Sequence, residues 1–194
     1  MDEKVVLDSE DMRRTLARIT HEIVERTGGQ DLAMVGIHRR GAVIAERLHE
    51  RIGELLGAPP PLGDLDISFY RDDVGRRGPQ DHPVVHASHI DFDVEGRTVV
   101  LIDDVLYTGR TVRSAIDALF DYGRPERVQL AVLADRGHRE LPIRPDYVGK
   151  NLPTHRSERV NVRVLELDGV DEVTVSTQGG GGAREPEPVG AGRA

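Results

Sequence analysis

The segment Val99 to Thr111, reading VVLIDDVLYTGRT, constrains this chain more than any other. Four apolar residues (Val99, Val100, Leu101, Ile102) precede two adjacent carboxylates, Asp103 and Asp104. Val105, Leu106 and Tyr107 follow, and Thr108, Gly109, Arg110 and Thr111 then open a helical pattern. An unbroken apolar run bounded by turn residues predicts a strand buried on both faces of a parallel sheet. Ligands of such sheets sit beyond the carboxyl ends of the strands, where this reading puts the two aspartates. The Thr-Gly-Arg-Thr turn can aim backbone N–H groups, two hydroxyls and a helix N-terminus at one phosphate. Acceptors for sugar hydroxyls thus adjoin donors for a phosphate, a combination suited to a phosphorylated ribose. An Asp pair alone is equally well read as a solvated acidic turn, but the thirteen-residue string is far more specific.

Composition narrows the classes. A length of 194 residues fits one domain with a sizeable core, and 38% hydrophobic with 31% charged residues suits a soluble globular protein. The absence of cysteine excludes a disulfide framework, a thiolate metal site and a Cys nucleophile. It agrees with a reducing, cytoplasmic setting. No apolar run approaches membrane-spanning length, and MDEKVVLDSED has no signal-peptide pattern. Neither HExxH nor GxSxG occurs, so zinc-hydrolase and serine-elbow chemistry lack support. The net charge of −8 argues against general polyanion binding. Residues 136–159 nevertheless carry six Lys/Arg against three acids, a local excess of +3.

The flanking chain reads as alternating strands and helices, the pattern of an α/β parallel sheet. Val5–Leu7 is a short strand or lead-in, and Asp8 or Ser9 caps a helix over about 9–26. Met12, Leu16, Ile19 and Ile23 form its apolar stripe, with Arg14, Arg18, His21 and Glu25 opposite. Those residues are either a solvated face or donors for an RNA backbone. Leu32–Ile37 is a buried strand, and His38-Arg39-Arg40-Gly41 leads into an amphipathic helix reaching Leu55. Two arginines between a strand end and a helix start suit an anion. Asp66–Tyr70 alternates like a strand. Residues 71–89 are polar and aperiodic, as in a lid or a disordered loop. After a helix ending near Tyr122-Gly123, Arg127–Ala134 is another buried strand. Residues 135–156 show no regular period. Val160–Leu167 alternates, and Val173–Val175 can pair with it. Residues 178–194 are Gly-, Pro- and Glu-rich and read as disordered.

The central string resembles the phosphoribosyl-pyrophosphate (PRPP) signature of type I phosphoribosyltransferases. DDVLYTGRT is most similar to the PyrR family of pyrimidine-operon regulators that are also uracil phosphoribosyltransferases. The likeness extends over about residues 5–175 through GIHRRG, DISFYRDD, GRPERVQLAVLADRGHRELPIR and DYVGKNLPT. It implies a Rossmann-like type I phosphoribosyltransferase fold spanning 1–177, with a mainly parallel sheet flanked by helices. It further implies a mobile lid at 71–89, a small hood at 135–156 covering the base, and a tail beyond 177.

By the same resemblance, Asp103 and Asp104 hold the ribose hydroxyls, directly or through Mg²⁺-bound water, and serve catalysis. The 5′-phosphate falls to Thr108–Thr111. Pyrophosphate falls to Arg39, Arg40 and Gly41, with Arg71 added from the lid. Mg²⁺ comes held mainly by PRPP, with no metal cage of protein groups expected. The implied substrates are PRPP and uracil, the product UMP, and the regulated partner the pyrimidine-operon mRNA leader. Arg18, His21, His138, Arg139, Arg144, Lys150 and Asn151 are the implied RNA contacts. A homodimer or higher homo-oligomer and no membrane association are expected. Two positions depart from the better-known regulators: Ala17 stands where they have Thr, and Arg39-Arg40-Gly41 replaces Thr-Arg-Gly. Transcription attenuation and translational repression both stay open, as does a salvage phosphoribosyltransferase without an RNA role. A PRPP sensor without catalysis is a third reading, opposed by the intact lid and pyrophosphate segments.

Overall fold

The computed structural model describes residues 3–68 and 88–177. Tyr70, Arg71, the expected lid up to residue 87 and the expected tail lie outside the described residues. Five strands form a parallel sheet: β2 (Leu32–Ile37), β3 (Leu62–Leu65), β4 (Thr98–Leu106), β5 (Arg127–Asp135) and β6 (Tyr147–Asn151), in the order β3-β2-β4-β5-β6. Helices α1 (Ser9–Thr27) and α2 (Arg40–Leu56) cover one face, and α3 (Arg110–Phe120) covers the other. A second, antiparallel sheet joins the two ends of the described chain. It contains β1 (Glu3–Leu7), β7 (Glu158–Arg163) and β8 (Glu172–Thr177), in the order β1-β8-β7, with the short helix α4 (Leu165–Asp168) between β7 and β8.

The two-sided core follows from strand alternation. Met34, Val100, Ile102 and Leu133 pack toward Leu16, Ile23, Ile44 and Leu48 of α1 and α2. Val35, Val99, Leu101 and Val132 pack toward Val112, Ala115 and Leu119 of α3. Val160, Val162 and Val173 of the smaller sheet close the α1/α2 side. Asp8 caps α1, its side chain accepting the Asp11 N–H at 2.8 Å, and left-handed Gly28 ends the helix. Arg47 fixes α4 to α2 through Glu166 (2.6 Å) and Asp171 (2.7 Å).

The structure moves three expected boundaries, besides ending the strand read at 160–167 at Arg163, after which Leu165–Asp168 is the helix α4. Of the strand expected at 66–70, residues 66–68 are not in a strand and residues 69–70 lie outside the described residues; Asp66 accepts from the backbone and hydroxyl of Ser68, and the strand that precedes it is Leu62–Leu65. Its signal is faint because Gly63 replaces an apolar residue where a Cβ would meet the His89 carbonyl at 2.7 Å. The second correction is at 135–156, which is not without regular structure: Tyr147–Asn151 is an edge strand of the main sheet. Its alternation is blurred because Gly149 lies against the Leu133 carbonyl. Third, β4 continues through both aspartates to Leu106, because β5 supplies ladder partners as far as Asp135.

Gly36 lets α2 approach β2. A Cβ there would lie 2.5 Å from Ala42 Cα and 2.9 Å from Ala42 N, backbone atoms that cannot yield by a rotamer change. Gly36→Ala is expected to destabilise the fold by about 1–3 kcal/mol, the usual range for overpacking, as read by urea denaturation.

Candidate active site

Adjacent residues of a strand point to opposite faces, and this separates the two aspartates. Asp103 shares its side with Val99 and Leu101 and lines a pocket of about 340 Å³ with Tyr107, Thr108, Gly109, Arg110 and Thr111. Asp104 shares its side with Val100 and Ile102 and lines a second pocket, of about 310 Å³, with Arg40, Asp168 and residues of β7. The Asp104 N–H donates to Asp103 Oδ1 (3.0 Å), and the Val105 N–H donates to Asp104 Oδ1 (2.8 Å). Burial pushes the Asp104 carboxyl above its ordinary range, against the opposing pull of the Val105 N–H, the Asp103 side chain and the Arg40 charge.

The loop after β4 is fixed through its carbonyls. The Arg136 N–H donates to the Leu106 carbonyl, Arg139 Nη1 to the Tyr107 carbonyl (2.9 Å), and the Glu140 and Leu141 N–H groups to the Thr108 carbonyl. Gly109 adopts φ +92°, a left-handed conformation that favours glycine, and begins α3 without a side-chain cap. Of the first-turn N–H groups of α3, that of Arg110 makes a long contact with Thr108 Oγ1 (3.4 Å); the turn as a whole still presents N–H groups to an anion and has no acid. Arg110 reaches Glu140 at 2.7 Å. Behind the loop, the Arg136 guanidinium lies 4.0 Å from the Tyr107 ring centroid and donates to the Glu158 carbonyl of β7.

The second loop, His38–Gly41, is anchored from two sides. His38 pairs with Asp64 of β3, and its N–H donates to the Leu65 carbonyl (2.9 Å). Arg40 pairs bidentately with Asp168 at 2.7 and 3.1 Å. Arg39 is exposed, and the peptide bond joining it to His38 is cis. Helix α2 also begins without a side-chain cap or a first-turn acid. At Gly41 a Cβ would sit 2.5 Å from the Ile102 carbonyl and 3.1 Å from Asp103 Cα, so glycine permits the contact between the α2 N-terminus and β4. Two uncapped helix N-termini thus flank the strand carrying the acids, whereas α1, begun by Asp8, is capped.

Comparison with known proteins places this arrangement. Residues 4–167 match the phosphoribosyl transferase domain family. A protein of Roseiflexus sp. named "Bifunctional protein PyrR" is 60% identical over 177 residues, covering 90% of this chain and 96% of its own. Proteins of the same name from Chloroflexus aurantiacus and Halalkalibacterium halodurans are 57% and 53% identical, covering 90% and 89% of this chain and 95% and 96% of theirs. The chain belongs to the PyrR family. Solved hypoxanthine phosphoribosyltransferases share its fold. One from Staphylococcus aureus has a TM-score of 0.66 at 22% identity, covering 90% of this chain and 92% of its own. One from Trypanosoma cruzi has a TM-score of 0.68 at 17% identity, covering 90% and 96%. The type I phosphoribosyltransferase fold expected from the sequence therefore holds.

The residues that the PyrR likeness assigns to RNA fall into two groups. Arg18, His138 and Arg139 make internal bonds. Arg18 donates to the Val148 and Gly149 carbonyls of β6, and His138 meets the Thr154 carbonyl. Arg139 binds Asp135 and the Tyr107 and Ile143 carbonyls, so it braces the loop after β4. His21, Arg144, Lys150 and Asn151 are exposed. Lys150 also donates to the Val6 carbonyl (3.1 Å). Arg18 joins α1 to β6, so two basic segments far apart in sequence form neighbouring surface. Periodicity missed the pairing of His38 with Asp64 and the approach of β7 to Asp104, because both depend on strand order. Among the described residues no helix is long and apolar enough to cross a membrane.

The raised Asp104 pKa has a signed consequence. The folded state binds that proton more tightly than the unfolded chain, so ionisation of Asp104 subtracts stability as pH rises from the unfolded value through the folded one. Asp104→Asn is expected to be more stable than the parent at neutral pH, with the difference vanishing below the unfolded carboxylate range. Thermal melts across pH check this.

Proposed function

We propose that the crevice transfers the phosphoribosyl group of PRPP to uracil, giving UMP and pyrophosphate, and that UMP promotes binding of the protein to pyrimidine-operon leader mRNA. The observation that carries the enzymatic half is the convergence of two uncapped helix N-termini on the Asp103–Asp104 strand end. The 5′-phosphate lies in the Thr108–Thr111 turn, the ribose hydroxyls meet Asp103 and Asp104, and pyrophosphate lies toward Arg39, Arg40 and Gly41. As the anomeric C–O bond to pyrophosphate breaks, positive charge develops on the ribose and the electron pair leaves with pyrophosphate. Uracil N1 forms the new bond and its proton passes to solvent. The carboxylates stabilise the ribose charge, and the preset N–H groups hold the substrate without reorganising.

Among the described residues no cluster of His, Cys, Asp and Glu could cage a metal. The adjacent aspartates do suit Mg²⁺ whose other ligands are substrate oxygens and water. When bound with PRPP, Mg²⁺ neutralises charge on the departing pyrophosphate.

The regulatory half rests on the α1–β6 surface, where His21, Arg144, Lys150 and Asn151 supply hydrogen bonds and charge to unpaired RNA bases and backbone. Arg139 contributes by fixing the adjoining loop. The protein acts as a homodimer or larger homo-oligomer.

Two assays on one preparation test this reading: uracil transfer from PRPP, and binding to the leader RNA with and without UMP at fixed salt against an unrelated RNA. Selective, UMP-enhanced binding with transfer is the expected result. Transfer without selective binding leaves a salvage enzyme. The double variant Asp103→Asn, Asp104→Asn is expected to lose roughly 10²-fold or more in kcat while remaining folded. Near-parental turnover removes the role given to the acid pair. Arg139→Ala is expected to lower transfer and RNA binding together, because it releases the Tyr107 carbonyl; loss of RNA binding alone would place Arg139 at the RNA instead.

A further inference from the structure

We propose that Arg159, on β7 of the smaller sheet, is a further pyrophosphate-binding residue that reaches the crevice from the side opposite the His38–Gly41 loop. This rests on the phosphoribosyl-transfer reading above. Arg159, Asn161 and Arg163 alternate along β7 and share one face, while Val160 and Val162 on the other face are buried in the α1/α2 core. β7 is the edge strand of its sheet, and its residues Arg159 to Arg163 line one pocket with Asp104, Arg40 and Asp168. The small sheet thus forms a wall of the pocket that the second aspartate also lines.

The pocket gathers three arginines, and two are already ion-paired. Arg40 holds Asp168, and Arg163 holds Glu3 (2.9 Å) and Glu172. Arg159 is exposed, and its guanidinium has no ion-pair or hydrogen-bond partner among the described residues. A surface arginine needs no function, but this one lines a pocket shared with the acid pair and with the end of the pyrophosphate loop. The ligand group follows by exclusion. The 5′-phosphate belongs to the Thr108–Thr111 pocket on the other face of β4. Uracil is uncharged. The pyrophosphate end of PRPP is the remaining polyanion, and a guanidinium fork matches its oxygens.

The test compares the parent with Arg159→Ala and Arg159→Lys, using inorganic pyrophosphate and ribose 5-phosphate as calorimetric probes in the presence of Mg²⁺. Arg159→Ala is expected to weaken pyrophosphate binding roughly tenfold, as for loss of one charge-assisted contact. KM for PRPP rises to match, while ribose 5-phosphate affinity, KM for uracil and the melting temperature stay unchanged. Arg159→Lys falls between, since it keeps the charge and loses the fork. Unchanged pyrophosphate affinity, equal weakening of both probes, or a rise confined to KM for uracil overturns the assignment. A parent that binds pyrophosphate but transfers nothing to uracil would sink the proposed reaction and leave the Arg159 comparison intact.

Discussion

The alternation of β4 is the constraint on which the rest of the site depends. The strand lies between β2 and β5 with parallel ladders on both sides, and each of its faces is packed into a separate apolar cluster. A one-residue slip would exchange the residues of the two clusters and the two aspartates with them. The apolar run from Val99 to Ile102 is thus more than a buried strand: it assigns each carboxylate to its pocket. A ligand engaging both must lie across the strand end, with one end on the α3 side and the other on the α2 side. That geometry suits a ribose bearing phosphoryl groups at both ends.

The proposed function asks an acidic chain of net charge −8 to bind a polyanion here with most of the nearby arginines already paired. Arg40, Arg139 and Arg163 are all committed to carboxylates. On the proposed reading, oriented backbone dipoles at the two uncapped helices share the binding with Arg39 and Arg159 and need no rearrangement when charge develops. Preorganisation has its cost in Asp104, whose burial opposes its own ionisation. Such a group lowers stability in the empty protein and is retained where binding needs it. The charge of Arg40 partly offsets that burial, so the Arg40–Asp168 pair serves Asp104 as well as α4.

Much of this was legible in the sequence, for identifiable reasons. β2, β4 and β5 are buried on both faces and read as apolar runs; α1, α2 and α3 carry clear stripes; and the Asp-Asp and Thr-Gly-Arg-Thr pairing declares its chemistry through residue type alone. β3 and β6 escaped because glycine occupies positions where a side chain would strike a neighbouring carbonyl, Gly63 against His89 and Gly149 against Leu133. Backbone packing there erased the alternation by which strands are recognised. In the smaller sheet the pairing of β7 with β8 was legible, whereas the addition of β1 escaped, since no local pattern tells β1 that its partner is β8.

Arg139 shows a different kind of limit. In sequence it belongs to a basic window, and charge alone assigns it to the surface. In the fold its guanidinium lies between Asp135 and the carbonyls that set the loop after β4. The same segment continues through exposed Arg144 into β6, which carries Lys150 and Asn151 beside α1. The stretch that holds the loop rigid is therefore covalently continuous with the stretch that forms the basic surface. Displacing the Tyr107 or Thr108 carbonyl must move the N–H groups of residues 136–141 or break their bonds. Charge counting sees one basic patch, whereas the hydrogen bonds divide it into a brace and a surface that a single segment ties together.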